Sequence, residues 1–289
     1  MSLTTNQRPI KLKPDASRPL SLSSILIYLV LIAYGITTIL PFLWLVGAAF
    51  KSQAELNMPA RFFPHSPTLD NFRTAFSLLP LFQIFLNSLK ISLLVTAGTV
   101  FTSSCAAYAF ARLQFPGRDK FFMAYLATLM VPWSVVMIPN FILMKYLGWI
   151  DTHYALAVPA MFSAYGTFML RQFFLGIAKE YEEAARIDGC GYIGIFRHVI
   201  LPLSIPALAT LSIFTFIGSW NNLIMPLIFI FTEEKMTLPV GLNRFRGLQD
   251  ADWGALMAGA LLMLIPMLIL FSFGQRFFTR GIRISVDKS

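Results

Sequence analysis

Charge is what this sequence has least of. Only 13% of its 289 residues are Asp, Glu, Lys or Arg, against roughly a quarter in an ordinary soluble domain, while 56% are hydrophobic and the mean hydropathy is +0.67. That balance excludes a water-soluble fold and places the chain in a bilayer. Cysteine is nearly absent. Cys105 lies in an apolar run and Cys190 in a polar insert, with no Cys-x-x-Cys, so neither a disulfide nor a metal site is expected. The three histidines, His65, His153 and His198, are scattered without ligand spacing. No Gly-Lys dipeptide occurs, so the Gly-x4-Gly-Lys-Ser/Thr phosphate loop is missing and the chain cannot hold ATP by that device. No nucleophile with a paired base is visible, so the chain is not expected to be an enzyme. It also lacks Gly/Ser-rich or Pro-rich linkers, and one membrane domain is the natural count.

What the chain has is long apolar runs. Six stretches approach the 20 or so residues needed to cross a hydrocarbon core: Ile25 to Phe50, Ile91 to Ala111, Phe121 to Met144, Thr152 to Leu170, His198 to Thr232 and Trp253 to Gln275. The fifth is over-long, so its span is expected to begin near Leu203. None alternates apolar with polar, so the fold class is an all-α membrane protein of six transmembrane helices. The first run is too long for a signal-peptide core and is read as a retained span. Residues 1–24, with Pro9, Pro14 and Pro19 among polar residues, read as a disordered tail. Residues 25–280 form the transmembrane domain, with polar connections at 51–86, 177–202 and 232–252, and 281–289 form a second tail. Pro41, Pro132, Pro139, Pro159, Pro206, Pro226 and Pro266 punctuate the runs and predict kinks.

A net charge of +9 and a pI near 9.7 would fit nucleic acid if the basic residues formed one face of a soluble fold. They sit instead at the ends of apolar runs, so no nucleic-acid partner is expected and the excess is read as orientation. Six spans place both termini on one side. That side would collect fifteen of the 23 Lys and Arg, including Arg112, Arg118, Lys120, Arg171, Lys179, Arg186 and Arg197. It is expected to be the cytoplasmic side.

The segment Glu182 to Pro202, EEAARIDGCGYIGIFRHVILP, interrupts this pattern. Glu180 to Ile187 holds strong helix formers, with Glu182 and Arg186 spaced to pair at i and i+4. Asp188-Gly189 stops that helix, since glycine accepts a left-handed terminus at little cost. Tyr192 to Val199 can form a second short helix, and Leu201-Pro202 turns the chain back into the membrane. The result is an elbow facing outward for a partner. An interfacial helix lying on lipid is the competing reading, but Glu180, Glu182 and Glu183 suit anionic headgroups poorly.

Glu183-Ala184-Ala185, then Gly189, then Val199-x-Leu201-Pro202 resembles the EAA loop of ABC-importer permeases, with Val199 in place of the usual Ile. The flanks resemble the carbohydrate-uptake, maltose-type branch: Leu170-Arg171-Gln172-Phe173-Phe174, Ser219-Trp220-Asn221, Thr237-Leu238-Pro239-Val240-Gly241-Leu242 and Gln275-Arg276-x-Phe278. The resemblance implies the type I ABC importer permease fold in a bacterial inner membrane, importing a carbohydrate by alternating access. It implies a second permease subunit, favouring a heterodimer over a homodimer, two ATP-binding subunits that hold the ATP and Mg, and an extracytoplasmic solute-binding protein. Glu183, Ala184, Ala185, Asp188, Gly189, Leu201 and Pro202 would then form the coupling surface for the ATPase. No cofactor is expected in this chain.

Ser219, Asn221 and Asn222 are polar groups inside the fifth run and are candidates, with Asn140, for the substrate path. Hydrogen bonding between helices is an equal alternative for them. By resemblance, Asn243, Arg244, Phe245, Arg246 and Gly247 would be the loop tip that meets the binding protein, where a merely solvated loop is the alternative. An ion-coupled carrier or a channel subunit is the competing function class. The six runs contain no Asp or Glu, which argues against a proton relay.

Overall fold

The computed structural model describes residues 22–56, 62–246 and 252–286, with side chains described as far as residue 274. The contact pattern divides the chain between Leu45 and Val46. The described part of the first unit is a single helix, the start of α1 (Leu22–Ala49), which begins three residues inside the expected tail. The second unit holds α2 (Gln53–Leu56), α3 (Asp70–Leu78), α4 (Leu81–Arg112), α5 (Arg118–Ala127), α6 (Trp133–Tyr146), α7 (Tyr154–Ala160) and α8 (Ala164–Leu175). It continues with α9 (Glu180–Ile187), α10 (Tyr192–Ile195), α11 (Leu201–Leu203), α12 (Ile205–Trp220), α13 (Ile224–Phe229), α14 (Leu238–Arg246) and α15 (Trp253–Val286). The described residues are helical or irregular, with no strand among them.

Six uninterrupted helices is not the arrangement found. Among the described residues three single helices are long and apolar enough to cross a membrane, within α1, α4 and α15, and the number rises to five if each of two bent pairs counts as one span. Proline accounts for the breaks. Pro132 holds Val131 extended, and the two arms of the third run meet at 98°. Pro202 and Pro206 flank Ser204, where the fifth run turns by 76°. The chain therefore turns at Ser204 and not at Leu201-Pro202. The fourth run is split after Pro159 into α7 and α8.

The carbonyls freed by that last break find partners on α4. Thr99 Oγ1 donates to Ala160 O at 3.0 Å and Thr102 Oγ1 to Met161 O at 2.5 Å, so a helix that looks hydrophobic in sequence supplies hydroxyls where a neighbour needs them. Ser163 caps α8, its Oγ accepting from Gly166 N at 3.0 Å. Gly98 lets the break approach, since a Cβ there would lie 2.3 Å from Met161 Cγ.

Two cores result. One gathers Leu81, Ile84, Trp220, Phe229, Leu238 and Phe245; Trp220 stacks on Phe216 at 5.8 Å and meets Phe85 edge-on at 5.5 Å, while its Nε1 donates to Met263 O at 3.1 Å. The other gathers Ala107, Leu170, Phe174, Ala185, Ile195 and Ile200 beneath the elbow. Helix α4 contributes to both and packs along α8 and α12. The connections are more structured than expected. The second span's helix begins at Leu81, inside the connection 51–86, which also holds α3. The last helix runs through Val286, so residues 281–286 of the expected tail are helical.

Candidate functional site

The elbow forms as its residue types dictate. Helix α9 carries Glu180, Glu182 and Glu183 in its first turn and Arg186 in its last, each sign at the pole of the helix dipole that favours it. Gly189 ends it with φ +83°, the left-handed conformation, its N–H bonding back to Arg186 O at 3.0 Å. The chain then continues through α10, a wider π turn at Phe196–Ile200 and α11 as one helical stretch. Such π turns recur at functional sites.

The carboxylate that anchors the elbow is Glu182. Its Oε1 lies 2.9 Å from Arg112 Nε at the end of α4, as an ion pair without the alignment of a hydrogen bond, with side chains 9% and 5% exposed. Arg112 Nη2 also donates to the carbonyls of Phe174 and Ile177 at the end of α8, the second at 2.6 Å. One guanidinium thus ties together α4, α8 and α9. The expected Glu182–Arg186 pair is not formed, because the buried Arg112 claims the carboxylate. The Arg186 guanidinium instead lies 5.6 Å from the centre of the Tyr192 ring. Tyr108 Oη donates to Tyr192 O at 3.0 Å and fastens the second half of the elbow to α4.

What the elbow turns outward is apolar and acidic. Ile187 and Ile193 are 87% and 82% exposed, and Tyr181 and Tyr192 are also exposed. Glu183, Ala184, Asp188, Gly189 and Pro202 are exposed, Leu201 is half-buried, and Ala185 is buried against the bundle. Beside the elbow, Arg171 lies over the Phe122 ring at 4.2 Å and within 3.6 Å of Asp119.

Between α4, α7 and α12 lies a cavity of about 180 Å³ whose polar wall is Ser88, Thr215, Ser219, Asn222 and Thr237. Thr237 Oγ1 is buried without a hydrogen-bond partner among the described residues. Two of the four expected path residues, Ser219 and Asn222, line this cavity. Asn222 Oδ1 also accepts from Met225 N at 3.2 Å. Asn221 is exposed and donates to Ile217 O in its own helix, and Asn140 lies on α6 outside the cavity lining.

Within the connection 232–252, expected to carry the loop tip that meets the binding protein, residues 238–246 form a packed helix, α14, with Leu238, Leu242 and Phe245 buried. Asn243 is half-buried, Arg244 and Arg246 are exposed, and Phe245 points into the core; Gly247 lies outside the described residues. The preceding segment is held by residues that the motif pattern did not single out. Asn87 Nδ2 donates to Glu234 O at 2.7 Å and Met236 O at 3.0 Å, and Ser88 Oγ accepts from Leu238 N at 2.6 Å. Asp151 accepts from Phe231 N, Thr232 N and Thr232 Oγ1, and pairs with Lys235 Nζ at 2.9 Å. Partial burial works to raise the Asp151 pKa, but these donors outweigh it and hold the carboxyl well below its usual range. Asp151 itself sits at φ 59°, a conformation that Asp tolerates better than most residues. The adjacent His153 lies with its Nε2 2.9 Å from Lys235 O.

The comparisons with known proteins identify the family. The family model described as "Binding-protein-dependent transport system inner membrane component" matches residues 98–284. The chain is 36% identical to a probable ABC transporter permease protein, YurM, of Bacillus subtilis, covering 89% of this chain and 84% of the relative. It is 37% identical to the arabinooligosaccharides transport system permease protein AraQ of Halalkalibacterium halodurans, covering 85% and 90%. It is 34% identical to the sn-glycerol-3-phosphate transport system permease protein UgpE of Salmonella typhimurium, covering 82% and 87%. A crystal structure of a bacterial ABC transporter involved in import of the acidic polysaccharide alginate shares the fold, with TM-score 0.81 at 22% identity over 92% of this chain and 100% of that chain. With the family model spanning well over half its length, the chain belongs to the binding-protein-dependent transport system inner membrane components, the permease subunits of ABC importers.

Proposed function

We propose that this chain is the permease subunit of an ATP-driven importer that moves a carbohydrate or related polyol derivative across a bacterial inner membrane by alternating access. It would pair with a second permease, two ATP-binding subunits that carry the ATP and Mg, and an extracytoplasmic binding protein, and would itself catalyse nothing. Both termini and the elbow would face the cytoplasm. The observation that carries the reading is the elbow, anchored from beneath by the buried Arg112–Glu182 pair while it presents Glu183, Ala184, Ile187 and Ile193 outward. Apolar side chains this exposed beside a rigid turn fit a groove on a partner. The carbohydrate class is supported by the named substrates of the relatives and by the cavity, whose hydroxyls and amide suit a neutral, hydroxyl-rich guest.

The test is purification by a tag on this chain from its own cells. An ATPase should co-purify, and its turnover should rise with binding protein and sugar, chosen from a panel of mono- and oligosaccharides. Glu183→Lys should remove the stimulation while membrane insertion persists. Transport by the chain alone, without ATP, would favour an ion-coupled carrier and overturn the proposal.

A further inference from the structure

The two anchor sets described above lie on one helix. Arg112 closes α4 at the elbow end, and Asn87 and Ser88 stand near its start, 25 positions away, or about 37 Å at 1.5 Å per residue. Between them α4 has no proline, whereas α1 contains Pro41, α15 contains Pro266, and the third, fourth and fifth runs break beside prolines. Both cores pack on it, through Ile84, Ile91 and Val95 at one end and Ala107, Tyr108 and Ala111 at the other. Its far end bonds directly to the backbone of Glu234, Met236 and Leu238. An unbroken helix anchored by buried side chains at both ends is a rigid element of the kind that can carry coupling between them.

We propose that α4 is a strut carrying movement of the elbow to the segment 232–242, with Arg112 and Asn87 as the positioning residues at its two ends. The proposal rests on the permease reading, because it is ATPase movement that would displace the elbow. A parallel route exists through Asp151, which also holds Thr232 and Lys235, and the experiment separates the two.

The test is hydrogen–deuterium exchange on the full complex in lipid nanodiscs, with and without a non-hydrolysable ATP analogue. In the native complex nucleotide should change protection in both 180–195 and 232–242. Asn87→Ala should keep the elbow response and lose the distal one, and the milder Ser88→Ala should diminish it. Asn71→Ala is the control. It cuts a buried asparagine from two other carbonyls, Ala49 O and Lys51 O, away from α4, and should leave the distal response in place. Asp151→Asn probes the parallel route: a distal response that survives Asn87→Ala, that vanishes equally in Asn71→Ala, or that is lost in Asp151→Asn while Asn87→Ala keeps it overturns the strut. No nucleotide response at the elbow of the native complex overturns the permease reading beneath it.

Discussion

At the elbow end of α4 one guanidinium serves a carboxylate and two carbonyls, almost wholly out of water. At the far end the work is divided among the neutral Asn87 and Ser88 and an Asp151 side chain that keeps 24% exposure. A single buried charge centre is unforgiving, since removing one partner strands the other in a low dielectric. Several modest hydrogen bonds, each worth about 1 kcal/mol, can be lost one at a time. Stability should therefore fall far more steeply with single substitutions at the elbow than with those at the segment it faces along α4.

The sharpest way to break that comparison is Arg112→Ala. It leaves Glu182 buried without its ion partner and should cost about 3–5 kcal/mol, enough to deplete the assembled complex. Arg112→Lys keeps the charge but not the planar fork, so it should recover only part of the loss. Thermal melting of the detergent-solubilised complex reads both; an unchanged midpoint for Arg112→Ala would mean the pair is not the keystone of this end.

Glu182 and Glu183 sharpen the comparison within one helix turn. Glu182→Gln should destabilise by about 3 kcal/mol, because it leaves Arg112 uncompensated. Glu183→Gln, on an exposed side chain, should stay within about 0.5 kcal/mol of the native protein and yet reduce stimulated ATP turnover. Equal melting shifts for the two would erase the distinction between anchor and docking surface.

That distinction marks where the sequence stops being legible. The elbow itself was readable, because helix formers, an acidic first turn and a stopping glycine are local signals, and the left-handed Gly189 follows from them. Glu182 was misassigned for the same reason: i, i+4 spacing nominates Arg186, and nothing local announces an arginine 70 positions earlier. The span count was legible only in part, for a different reason. Length and hydropathy cannot show that Thr152 to Leu170 is two helices, since the hydroxyls that compensate the break belong to α4. Asn87 was missed because it bonds to backbone, which leaves no trace in residue identity, and Asp151 because its side-chain partners Thr232 and Lys235 lie more than 80 positions away. The cavity took Ser219 and Asn222 and left out Asn221, because α12 ends at Trp220 and Asn221 turns its side chain back to Ile217 O.

At the far end Asp151→Asn removes the charge paired with Lys235 and cannot accept every bond the carboxylate does. A loss of about 1–2 kcal/mol is expected, seen as faster exchange at 231–235 with little change in overall melting. The pH dependence follows from the depressed pKa. The contribution is complete above the unfolded-state value, near 4 for an aspartate, and is lost only as pH falls toward the lower folded value. Protection there should be flat from pH 8 to about 5, and a decline within that window would mean that Asp151 does not hold the segment.

The smallest expected effect compares two glycines. Gly189 ends α9 at φ +83°, and Gly148 follows α6 at φ +69°, close to Asp151 in the chain; at neither would a Cβ meet any atom within 4 Å. Alanine at either position therefore suffers only backbone strain, about 1 kcal/mol, and asparagine less, since its side chain tolerates the left-handed region. Melting should hardly separate Gly189→Ala from Gly148→Ala. Coupling should, because strain at Gly189 is relieved by tilting the turn that presents Ile187 and Ile193, whereas strain at Gly148 falls in the connection between α6 and α7. Stimulated ATP turnover should fall in the first variant and hold in the second. Equal turnover in the two would mean that the elbow tolerates reorientation, and that the steep dependence on Arg112 reflects stability alone.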